Sequence, residues 1–134
     1  MTEEQKKAIA QRVARARETL DETKLLKEFH HYVGTVNRLY YACFYAATAL
    51  LETRGLESSK HSGVIALLNQ HFVKAGILAA EWGKFYRYLF DTRQGGDYMD
   101  FPAFTIDEIE NLSLSATRFI DEIVRVIEKD VRAR

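Results

Sequence analysis

Four stretches of this 134-residue chain set side chains capable of chemistry among apolar neighbours. "RQGGDYMDF", residues 93 to 101, groups Arg93, Asp97 and Tyr98 around two glycines. An arginine binds phosphate through paired N–H donors, and a tyrosine stacks on a base or donates to it. Arg93 could equally serve a helix C-terminus, where a cation complements the dipole, and Asp97 could pair with Arg93 or Arg38. In "NRLYYACFYAATALL", Asn37 and Arg38 share a helical face with Tyr41, and Tyr45 lies one turn further. A buried guanidinium needs an acid, water or a ligand. That strip is therefore either an internal hydrogen-bond network or the lining of a groove for a phosphate or a base. "KHSG" puts Lys60 and His61 at a helix start, where free amides favour anions, with Ser59 or Ser62 expected to cap. "EFHH" contains Glu28-x-x-His31, but a di-iron bundle needs a second such motif and two further glutamates. The second motif is absent, so neither a metal nor another cofactor is expected.

The elements that must position these groups read as helices. Thr2 and Gln5 form a capping box, and Ile9, Val13, Ala16, Leu20, Leu25 and Leu26 continue one apolar stripe to a turn near residues 27 to 30. The opposite face, with Lys6, Lys7, Arg12, Arg15 and Arg17, reads as a solvated face or a basic stripe for RNA. Residues 31 to 53 are apolar on nearly all sides, which marks a helix enclosed by several neighbours, with Gly55 at its C-terminal end. A third helix is expected over 61 to 75, closed by Gly76, and a fourth over 79 to 93, carrying Trp82, Phe85, Tyr86 and Leu89. The break is placed at 94 to 104. Thr105 and Glu108 then form a second capping box before the stripe Ile109, Leu112, Ala116, Phe119, Ile123 and Ile127. The fold class is all-α, an up-and-down bundle of four or five helices in one domain spanning 1–134.

Composition removes several function classes. Nineteen basic residues balance nineteen acidic ones, against the basic excess of proteins that coat nucleic acid, although a local basic cluster stays open. The single cysteine, Cys43, has neither a disulfide partner nor a CxxC partner. The N-terminus lacks a signal-peptide core and no apolar run approaches the roughly 20 residues that span a bilayer, so a cytoplasmic protein off the membrane is expected. No G-x-S-x-G elbow and no glycine-rich phosphate loop is present.

Together, "NRLYYACFYAATALLETRG", "KHSGVIALLNQHFVKAG" and "RQGGDY" resemble the HEPN domain (higher eukaryotes and prokaryotes nucleotide-binding), chiefly its short stand-alone prokaryotic branch, from about Leu20 to Ile127. The resemblance implies a helical bundle that forms a homodimer, binds RNA or a nucleotide, and pairs with a cognate minimal nucleotidyltransferase as toxin and antitoxin. It also implies a ribonuclease signature, R-x(4–6)-H, acting without metal across the dimer. Carried over, the arginine falls on Arg93 and the histidine on Tyr98, and no histidine follows Arg93. Neutral-pH acid–base chemistry suits histidine, whereas a tyrosine titrates near 10. Two readings follow. One is a binding or partner module with a degenerate signature, using Asn37, Arg38, Tyr41, Lys60, His61 and Asp97. The other is an active endoribonuclease toxin that uses Arg93 with His61 or Tyr98.

Overall fold

The structure is a computed structural model describing residues 1–98 and 104–133, with side chains at 95–98 left out of the description. Five α-helices follow in order: α1 (Glu3–Glu28), α2 (Tyr32–Glu52), α3 (His61–Leu68), α4 (Ala80–Tyr98) and α5 (Ile106–Ala133). A single π-helical turn, Asn69–Val73, continues α3. None of the described helices is long and apolar enough to cross a membrane.

Both capping boxes form. The Thr2 hydroxyl accepts from the Gln5 amide while the Gln5 side chain accepts from Thr2 N–H, and Thr105 and Glu108 repeat the exchange at the start of α5. These bonds satisfy donors that a helix N-terminus otherwise leaves unpaired. Gly55 and Gly76 adopt φ of 66° and 75° just beyond the α2 and α3–π segments, a left-handed geometry that glycine enters without a Cβ clash. His30 takes the same geometry at φ 61° in the corner between α1 and α2.

Helix α2 packs against all four other helices. Its buried face alternates bulk with small residues: Leu39, Tyr40, Leu50 and Leu51 are enclosed, and so are Ala42, Ala46, Ala47 and Ala49. The alanines let α1 and α5 approach closely, and each keeps full helix propensity. All six stripe residues of α5, from Ile109 to Ile127, are buried. The α1 stripe is narrower than expected. Ile9 and Ala16 are buried and Val13 and Leu20 partly so, but Leu25 is 63% exposed, and Thr19 and Thr23 fill the inner face instead. The Thr23 hydroxyl donates to the Leu20 carbonyl at 2.6 Å, so its burial leaves no unmet donor.

Two expected boundaries are corrected. The fourth helix does not stop at Arg93 but runs through Gly95 and Gly96 to Tyr98. A glycine costs a helix interior about 1 kcal/mol relative to alanine, which weakens an established helix without ending it, because extension is far cheaper than nucleation. The third helix holds α geometry only to Leu68 and then widens into the π turn.

Candidate functional site

Three helices bring the polar candidates together on one ring. Around Tyr41 of α2 lie the Arg38 guanidinium, 5.6 Å from the ring centroid, the Arg93 guanidinium at 5.7 Å and the His61 ring at 5.9 Å, edge-on. Arg38 arrives from the preceding turn of α2, His61 from the first residue of α3 and Arg93 from α4. A guanidinium over an aromatic face gains about 0.5–2 kcal/mol depending on desolvation. Arg93 is held further by Tyr40, whose ring centroid lies 4.7 Å from its Cζ, and by Phe90 at 5.8 Å.

Tyr40 is the pivot beneath this cluster. It is fully buried, stacks on Tyr86 at 6.0 Å and on His61 at 5.6 Å, and its hydroxyl lies 2.5 Å from His61 Nδ1. Burial pushes the Tyr40 phenol up to about 12, against smaller opposing effects that include the Arg93 charge. Burial also lowers the pKa of His61, and the charge of Arg93 lowers it further, which favours a neutral imidazole at pH 7. Phe44 stacks on that imidazole with centroids 4.6 Å apart. The ring of His61 is therefore gripped by α2 while staying part-exposed.

Gly63 sets how His61 reaches this position. A Cβ at Gly63 would lie 2.0 Å from Ser58 Oγ and 2.8 Å from Ser58 Cβ, so the loop before α3 rests directly on its first turn. Neither Ser59 nor Ser62 caps α3, contrary to expectation. The cap position is Lys60, without a side-chain cap bond, and Ser58 Oγ accepts from the Lys60 amide instead.

Of the residues singled out in the sequence, Arg38, Tyr41, His61 and Arg93 meet. Arg38 also meets the acid that its burial required, with Nε 3.4 Å from Glu22 of α1. Arg93 does not sit at a helix end, since α4 continues past it. Asn37 is half-buried and makes no side-chain hydrogen bond among the described residues, and Lys60 is exposed outside the ring cluster. The side chains of Asp97 and Tyr98 lie outside the described residues. Tyr40, Phe44 and Phe90 were missed. Their only sequence signal is aromatic density in α2 and α4, which cannot show that Tyr40 faces His61 across the loop.

Elsewhere the chemistry is structural. Arg12 pairs with Glu52 at 3.2 Å, Arg17 with Asp121 at 2.6 Å and Lys6 with Glu3 at 3.4 Å, so acids offset much of the basic face of α1. Cys43 is fully enclosed, and burial raises its thiol pKa, which removes it as a nucleophile. Glu28 and His31 are both exposed, and among the described residues no three of His, Cys, Asp and Glu gather as a metal site would require.

Comparison with known proteins bears on the chain as a whole. A family model described as HEPN domain matches residues 9–127, eleven residues further toward the N-terminus than the likeness of the motifs suggested. A UPF0332 protein of Thermotoga maritima is 44% identical over 119 residues, covering 89% of this chain and 90% of that one. Two proteins of Methanocaldococcus jannaschii, named "Putative toxin MJ0605" and "Putative toxin MJ0142", are 35% and 30% identical. The first alignment covers 85% of this chain and 84% of the relative, the second 69% and 63%.

Proposed function

This chain belongs to the HEPN domain family, and from that premise we propose that it is the toxin-type member of a toxin–antitoxin pair, a dimeric module that binds single-stranded RNA or a nucleotide. The observation that carries this reading is the gathering of Arg38, Arg93 and His61 around the single ring of Tyr41. Guanidinium groups fixed beside an aromatic ring match a nucleotide's two halves: the arginines take the phosphate and a part-exposed ring offers a stacking face to the base. The zero net charge fits a local site of this kind better than a coat of phosphate contacts. The toxin names of the two Methanocaldococcus relatives support the toxin-type role. A cognate minimal nucleotidyltransferase is the proposed partner, and the cytoplasm the proposed compartment.

A second reading is favoured by the nearness of His61 to Arg93. In a metal-independent endoribonuclease, the ribose 2′-oxygen attacks phosphorus, the bond to the 5′-oxygen breaks, and an arginine stabilises the charge that builds on phosphorus. A neutral imidazole would take the 2′-hydroxyl proton, help worth about 10²–10⁴-fold, and the leaving 5′-oxygen would take a proton from water. His61 would then replace the histidine missing at Tyr98.

The test uses the purified chain with a mixed pool of short RNAs in chelator, read by fluorescence anisotropy and by gel. Two phosphate contacts give a salt slope of about −1.4 for a single strand, and Arg93→Ala should weaken binding and remove about 0.7 of that slope. Binding that is unchanged in Arg93→Ala and Arg38→Ala defeats the proposal. Cleavage in chelator that disappears with His61→Ala replaces it with the nuclease reading.

A further inference from the structure

The hydrogen bond between Tyr40 and His61 decides which proton the site can offer. Tyr40 is fully buried, and its hydroxyl lies at hydrogen-bond distance from His61 Nδ1. Burial raises the phenol to about 12, so the hydroxyl keeps its proton at neutral pH. A buried hydroxyl proton left without an acceptor is costly. The buried Tyr86 hydroxyl also hydrogen-bonds Tyr40, lowering the Tyr40 pKa and raising its own as a donor to Tyr40 would, which leaves Nδ1 as the acceptor for the Tyr40 proton. The phenol therefore donates and Nδ1 accepts. A neutral imidazole has one ring proton, so that proton sits on Nε2. A flip of the ring about Cβ–Cγ keeps the stack on Phe44, at 4.6 Å, but puts Cδ2 where Nδ1 meets the hydroxyl, so the bond to Tyr40 fixes the ring's orientation.

We propose that Tyr40 is a positioning residue that holds His61 as its Nε2–H tautomer, making His61 a hydrogen-bond donor to a phosphate oxygen bound beside Arg38 and Arg93. The inference rests on the RNA-binding reading above and sharpens it. The free nitrogen of His61 then carries a proton and no lone pair, so it cannot take the proton of a 2′-hydroxyl. The residue that makes the nuclease reading attractive is set by Tyr40 for binding instead. Among the described residues, the groups that face the imidazole are Tyr40, Tyr41 and Phe44 from α2 and Arg93 from α4, and none of these is a carboxylate that would stabilise an imidazolium.

The experiment is a long-range ¹H–¹⁵N correlation on the labelled full chain at neutral pH, which identifies the protonated ring nitrogen of His61 without any ligand. Wild-type protein should show Nε2–H, and Tyr40→Phe, checked for folding by circular dichroism, should show a mixture of tautomers. Affinity for a mixed-sequence RNA octamer should fall about tenfold in Tyr40→Phe and His61→Ala. His61→Gln, which keeps an N–H donor at the same reach, should retain most of it. A protonated Nδ1 in the wild type overturns the inference, as does a Tyr40→Phe variant with wild-type tautomer and affinity. An Nε2–H tautomer in a protein that binds no octamer sinks the RNA reading and the donor role with it, while leaving the Tyr40–His61 contact in place.

Discussion

Replacing Gly63 by alanine separates two opposing effects whose signs differ. Gly63 lies inside the first turn of α3, where alanine is favoured over glycine by about 1 kcal/mol. Judged by propensity alone, Gly63→Ala stabilises the protein. The added methyl, however, would lie 2.0 Å from Ser58 Oγ and 2.8 Å from Ser58 Cβ, well inside the roughly 3.5–4.0 Å of ordinary contact. The Oγ can rotate away at the loss of its bond from the Lys60 amide, 3.2 Å long, but the Cβ moves only with the backbone. Overpacking of this kind costs about 1–3 kcal/mol, which leaves a net loss of about 0–2 kcal/mol. At this chain length that is a Tm lower by up to about 8 °C. Thermal and urea unfolding followed by circular dichroism would measure it. In a Ser58→Gly background both clashing atoms are gone, and the same Gly63→Ala change should now raise stability by about 1 kcal/mol. A Tm that rises in the single variant, or shifts equally in both backgrounds, refutes the contact between loop and helix.

Three further outcomes test other parts of the fold. Because α4 runs through Gly95 and Gly96, alanine at either position should stabilise by about 1 kcal/mol in urea melts, and a loss would restore the turn there. His30→Gly removes a left-handed non-glycine residue, a strain of about 1–2 kcal/mol. Since glycine also loosens the unfolded chain by about 0.4–1 kcal/mol, the unfolding free energy should rise by about 0–1.6 kcal/mol; a fall would show that the His30–Tyr32 stack outweighs the strain. The folded pKa of His61 lies below its ordinary 6.5, so below that pH the unfolded chain binds the extra proton first. The His61 contribution is thus fully present above about 6.5 and lost as pH falls through the folded value, and stability curves from pH 7.5 to 5 should be flatter in His61→Gln than in the wild type.

What could be read from the sequence followed from local physics. The α5 stripe and both capping boxes are patterns within a few residues of one another, and all of them form. The enclosure of α2 was legible because it lacks a polar face. Leu25 shows the limit of such patterns: it continues the apolar periodicity of α1 on paper, yet it faces solvent where the helix approaches its corner. Arg93 and His61 stood out as polar residues between helices, but their meeting depends on Tyr40, which looked like one more core aromatic. Pairings across 21 residues, such as that of Tyr40 with His61, leave no periodic trace. The two glycines of α4 misled for a different reason. A weak local preference for a turn was set against a helix already nucleated and packed, and the helix prevailed.

Tyr40 also governs how relatives of this chain can be judged. Its ring belongs to the hydrophobic core, in contact with Tyr86 and Phe90, as much as to the cluster above it. A relative that had lost every ligand would still be held to an aromatic at this place by the demands of folding alone. Arg93 and His61 are part-exposed, so the core itself constrains them less than it constrains Tyr40. The diagnostic positions for a working site are thus the part-exposed ones, where packing alone explains less of the choice of residue.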